Sequence, residues 1–286
     1  MHEALIFLAA PFVMCVILAG IHCYLGLHVL ARGVIFVDLS LAQVAALGAT
    51  VSLLFGFEHG SPATYFISLA STFIASALFA LARRHEHLFS QEAIIGIVYA
   101  FASAAVVLVV DRLAHGAEHI KDLLVGQVLW VTWHDVIKTS LIYSGVAITH
   151  YIFRKQLLAA SFATPAAKSA KNNQHNEPAS QSLFWDFLFY ALFGIVITSS
   201  VSVAGVLQVF SYLIVPSVIS TLFFKTIQAR LIFGWILGFL LSFVAMVLSY
   251  HWDLPAGAFI VVCFAVVPVI LLGASVFGIK LGHIRS

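Results

Sequence analysis

Residues 256–278 read AGAFIVVCFAVVPVILLGASVFG, an apolar stretch without a single charged side chain. A helix of about 20 such residues crosses the hydrocarbon core of a bilayer. A strand-built span would show alternating segments of about ten residues instead. Similar runs lie at 4–30, 36–56, 63–82, 92–113, 134–153, 183–203, 205–222 and 231–250. The pattern predicts an all-α, polytopic transmembrane helical bundle of about nine spans, as a single transmembrane domain over 1–286. Residues 122–133 are apolar but short, and read either as an interfacial or re-entrant piece or as an extension of the fifth helix.

Composition agrees. Hydrophobic residues make up 62% of the chain and charged ones 9%. Soluble domains carry about 25% charged residues, so water alone would leave this surface uncovered. Lipid removes that demand, but it forces backbone groups to bond within the chain. The first apolar stretch is long and has no Lys or Arg before it, so it reads as a span rather than a signal peptide.

Orientation follows from Lys and Arg. One set of loops holds Arg32, Arg83, Arg84, Arg154, Lys155, Lys168, Lys171, Lys225, Arg230, Lys280 and Arg285, which is 11 of the 14. These loops are expected on the cytoplasmic side of a bacterial-type inner membrane, with the N-terminus outside and the C-terminus inside. The hydrophilic stretch 159–182, with KSAKNNQHNEPASQ, is expected as a mobile cytoplasmic loop. The opposite face collects Glu58, Asp111, Glu118, Asp122, Asp135 and Asp253 with His59, His115, His119, His134 and His251. Such a face attracts cations.

Several residues carry possible chemistry. Asp38 lies in the second span, and a lone carboxylate there needs a reason. It either serves cation passage or helix–helix bonding, or reaches Arg32 or water near the cytoplasmic end. Ala42, Ala45 and Ala49 continue its helical face, and Gln43 is a second polar group nearby. His115, Glu118, His119 and Asp122 in HGAEHIKD share one helical face and suit zinc, manganese or iron. The same residues match H-x-x-E-H, an inverted zinc-peptidase pattern. Cys15, Cys23 and Cys263 lack metal-ligand spacing and read as packing residues, without a disulfide. No G-x-x-x-x-G-K-[ST] loop occurs, so nucleotide hydrolysis by that route would need another chain. Nothing suggests nucleic acid.

Five stretches in order carry a family resemblance: LARGVIFVDLSLAQVAALGA (30–49), QEAIIGIVYA (91–100), LLVGQVLWVTWHDV (123–136), VAGVLQVFSYLIVPSVIS (203–220) and LSYHWDLPAGAFIVV (248–262). The chain resembles the ABC permeases for manganese, zinc and iron. The resemblance implies a fold related to the vitamin B12 importer permeases and a homodimer. It implies ATP-binding cassette ATPase subunits below and an extracytoplasmic metal-binding protein above. No permanent cofactor is implied; the divalent metal, zinc first and then manganese or iron, is the cargo. The chain itself is expected not to be an enzyme. ATPase contact is implied around Val215, Pro216, Ser217 and Lys225, with Pro216 ending the seventh span. In the family the second helix reads D-x-x-S-H, whereas Gln43 stands here in place of the His, with Asp38 one residue out of register. The expected metal contacts are therefore Asp38, Gln43, His115, Glu118 and His119. Two other readings remain open: a proton-driven secondary metal transporter, and an intramembrane zinc peptidase using His115, Glu118 and His119.

Overall fold

The computed structural model describes residues 2–58, 60–113, 116–162 and 179–276, with side chains over 6–58, 60–113, 121–162 and 183–276. The described residues form helices and short connections, with no strand among them. They are α1 (His2–Arg32), α2 (Val37–Leu54), α3 (Pro62–Arg84), α4 (Gln91–Val110), α5 (Gly116–Val125), α6 (Trp133–Ile152), α7 (Arg154–Phe162), α8 (Ala179–Phe223), α9 (Ile227–Trp252) and α10 (Ala256–Val276). A 3-10 turn, Val128–Trp130, lies between α5 and α6.

Polar residues set where helices begin. Ser61, with Pro62 behind it, caps α3; Ser90 caps α4; Thr226 caps α9. Each accepts a bond from a first-turn backbone N–H that has no helical partner.

Among the described residues, seven helices are long and apolar enough to cross a bilayer. The count is eight if α6 and α7, which meet at 81°, are taken as one bent span. This count, which takes Leu183–Phe223 as one span, does not confirm the expected nine. Residues 183–203 and 205–222, read above as two spans, both lie in α8, which consists of two helices joined across a kink at Gly205 (φ 73°, ψ 165°). A single glycine in a non-helical conformation separates the two helices there. Residues 122–133 do not extend α6: α5 stops at Val125, and Gly126 turns the chain at φ 70°. The loop expected over 159–182 is helical at its described edges, since α7 runs to Phe162 and α8 starts at Ala179.

The helices group into two compact units, each built from separate segments. The first takes Met1–Leu30, Lys121–Leu141 and Ser202–Ser286. Its helices meet on small residues. A Cβ on Gly26 would overlap the Leu213 carbonyl, one on Gly234 would overlap Cys23 Sγ, and one on Gly238 would lie 3.0 Å from Ala19. Lipid gives apolar helices no hydrophobic reason to associate, so close backbone approach and hydrogen bonds carry the packing. Tyr212 Oη accordingly lies 3.0 Å from Ser242 Oγ, and Gln208 Nε2 donates to Tyr212 Oη at 3.2 Å.

The second unit takes Ala31–Ile120 and Ile142–Val201. Here α2 lies against α3 and α4. Gly48 brings α2 so near α3 that a Cβ would stand 2.8 Å from Ser68 Cα, and Ser68 Oγ donates to the Ala45 carbonyl at 2.7 Å. Ser76 bonds the Tyr190 carbonyl at 2.9 Å, and Gln91 donates to Tyr190 Oη at 2.7 Å.

Candidate functional site

The strongest candidate is in the second unit, at the start of α2. Asp38 is the second residue of that helix and is 1% exposed. Among the described residues neither of its carboxylate oxygens has a hydrogen-bond partner. They lie against the first-turn amides of Asp38 and Leu39, which favour negative charge without forming a good bond to it. A carboxylate buried this way is costly unless something neutralises it.

Arg32, the partner considered above, is engaged elsewhere. Its Nη1 donates to Asp186 Oδ1 at 2.9 Å and its Nε to Ser161 Oγ at 2.9 Å. The reading in which Asp38 is neutralised by Arg32 is therefore wrong. Ala42 and Ala45 follow Asp38 around the helix and are buried. They add no polar atom beside the carboxylate.

Gln43 is half-buried. Five residues separate it from Asp38, which places it about 140° round the helix. The two do not share a face. Ser40, between them, is buried with its hydroxyl unpartnered.

The second cluster divides. His115 and the side chains of Glu118 and His119 lie outside the described residues. Asp122, the fourth member, accepts from Gln127 Nε2 at 2.9 Å and so closes the end of α5. Among the described residues no group of three or more His, Cys, Asp or Glu is placed to hold a metal.

The expected ATPase contact needs correction. Pro216 does not end a span, because α8 continues past it to Phe223. Pro216 removes one backbone N–H, a loss that neighbouring helices and side chains make tolerable inside a membrane helix. Pro216 and Ser217 are buried, Ser217 Oγ donating to the Cys23 carbonyl at 3.1 Å, and Val215 is half-buried. Only Lys225 of the four is exposed. It sits in the short break between α8 and α9, which Arg230 Nε pins by a 2.8 Å bond to the Phe224 carbonyl.

Sequence reading missed Asp186. Its Oδ1 accepts from both Arg32 and Arg83, the latter at 2.8 Å. The signal was present, since Asp186 is an acid at the head of an apolar run and the two arginines close two other helices.

A family model described as "ABC 3 transport family" matches residues 4–275. "Probable metal transport system membrane protein" of Chlamydia muridarum is 25% identical over 245 residues, 84% of this chain and 80% of that protein. "Manganese transport system membrane protein MntB" of Synechocystis is 27% identical over 190 residues, 66% of this chain and 59% of that one. Among solved structures, "PsaBC from Streptococcus pneumoniae in complex with Fab" aligns at a TM-score of 0.73. It is 18% identical, and the match covers 94% of this chain and 91% of that one. That likeness shows the fold.

Proposed function

Because the chain belongs to the ABC 3 transport family and is a transport subunit rather than an enzyme, we propose that it is the permease of an ATP-driven divalent-metal importer, with Asp38 on the metal's path. The observation that carries this reading is the Asp38 carboxylate, buried within the second unit with both oxygens unpartnered. A passing cation would supply the charge that the protein withholds. Between passages, the first-turn amides and a proton or water would hold the group.

The donor type bears on the cargo. α2 contains neither His nor Cys, so its contribution is oxygen from Asp38, with Gln43 and Ser40 on other faces. Oxygen donors suit manganese, whereas imidazole and thiolate suit zinc. In this reading manganese moves ahead of zinc and iron.

The chain has no phosphate-binding loop of its own, so ATP hydrolysis falls to a partner subunit. We place that partner against the exposed break at Lys225, on the cytoplasmic side, and a metal-delivering protein on the opposite face near His115, Glu118 and His119. A homodimer of the permease completes the assembly. The test is metal uptake in proteoliposomes with the partner ATPase. Manganese uptake that needs ATP and is lost in Asp38→Asn supports the reading. Uptake that proceeds on a proton gradient without the ATPase overturns it.

A further inference from the structure

We propose that Asp186 is a positioning residue whose carboxylate clamps the charged ends of α1, α3 and α8 together, and whose release frees the corner between α1 and α2 that carries Asp38. This rests on the reading of Asp38 as part of the metal's path.

The clamp lies wholly in the second unit. Asp186 Oδ1 receives Arg32 Nη1 at 2.9 Å and Arg83 Nη1 at 2.8 Å. The same two arginines reach α7: Arg32 Nε bonds Ser161 Oγ at 2.9 Å, and Arg83 Nη2 bonds the Ala160 carbonyl at 2.8 Å. The Arg32 guanidinium also lies over the Phe189 ring, 3.9 Å from its centre. Four separate chain segments thus meet on one acid.

The charges do not balance. Among the described residues, two guanidiniums share a single carboxylate oxygen, and Arg32 Nη2, on a side chain with 0% exposure, has no partner. A pair kept only for stability would match its charges and use both oxygens. Here removal of one acid leaves two like charges that drive the helix ends apart.

The lever is short. Arg32 is the last residue of α1 and α2 starts at Val37, so four residues connect them. Gly33 in that connection has φ 72° and open space around it, whereas Val34 is 2% exposed. Movement of Arg32 is therefore passed to Asp38, six residues on.

The experiment uses the permease with its partner ATPase in proteoliposomes, with Cys15, Cys23 and Cys263 replaced and Val34→Cys introduced as a reporter. Labelling of the reporter by a maleimide should be slow. Asp186→Asn should speed it by about tenfold or more and cut metal uptake by about tenfold, while ATP hydrolysis stays within about twofold. Arg83→Gln leaves one arginine against one acid and should speed labelling less. It also keeps the test alive if Asp186→Asn fails to fold. Unchanged labelling in both variants overturns the clamp. So does a parallel loss of uptake and hydrolysis with labelling still slow. The two readings fail separately. Asp38→Asn without effect on uptake removes the metal path and leaves the clamp. Asp38→Asn that abolishes uptake, with slow labelling in the Asp186 and Arg83 variants, does the reverse.

Discussion

Replacing the Asp38 carboxylate with an amide of nearly the same shape separates its effect on folding from its effect on transport. A charged side chain at the centre of a membrane helix costs about 2.5–3.5 kcal/mol on insertion scales. Asp38 stands in the first turn, where the helix amides recover part of that, so Asp38→Asn should stabilise the protein by about 1–2 kcal/mol. The measurement is thermal unfolding in detergent. A higher midpoint with lost uptake is the expected pair, and a lower midpoint would mean that the carboxylate has a structural partner. The outer acid should behave differently. Glu118→Gln should weaken uptake only modestly, whereas a peptidase would lose its activity outright. Asp38 was legible in the sequence because a lone acid in an apolar run stands out against its neighbours. Its independence from Arg32 was not legible. That depends on Asp186, which lies 154 residues from Arg32 in the chain, and single-sequence spacing carries no information about such a pairing.

At the scale of elements, α8 shows how much a local signal decides and where it stops. Gly205 was visible as a glycine between two apolar runs, and it does interrupt the helix. The two helices of α8 meet there at a kink with no loop between them, and the second passes through Pro216. Inside lipid the chain keeps helical bonding wherever it can, so one glycine or proline does not guarantee a loop. What Gly205 does provide is contact within the first unit. Its φ of 73° suits glycine, and a Cβ there would overlap the amide nitrogen of Gly126, itself at φ 70°. The adjoining Gln127 N–H bonds the Val203 carbonyl at 3.1 Å. Gly205→Ala should therefore destabilise by about 1–3 kcal/mol from backbone strain, with steric overlap added to it. A chemical unfolding midpoint indistinguishable from the parent would show that the two backbones can separate freely. The coupling segment was half legible. Lys225 is exposed, as a docking residue must be, but burial of Pro216 and Ser217 depends on α1 filling the space beside them through Cys23 and Gly26.

For the whole molecule, the uneven distribution of Lys and Arg predicts an orientation, and the second unit shows which chain ends lie together. Arg32 at the end of α1, Arg83 at the end of α3, Ala160 and Ser161 in α7 and Asp186 at the head of α8 converge on one cluster. Those chain ends therefore lie together, as alternate loops of a threaded bundle must. They are also the ends that the basic residues assign to the cytoplasm. The sign of the orientation is open to direct measurement at two exposed positions of the first unit, Lys225 between α8 and α9 and Asp253 at the end of α9. The helix between them runs from Ile227 to Trp252 and is long enough to cross the bilayer, so it should put them on opposite sides. With Cys263 replaced and Cys15 and Cys23 buried, an impermeant maleimide applied to intact cells should label Asp253→Cys and spare Lys225→Cys until the membrane is opened. The reverse pattern would invert the molecule and move the ATPase contact away from Lys225. Equal labelling of both in intact cells would mean that α9 does not cross, and the helical bundle would then need a different path through the membrane.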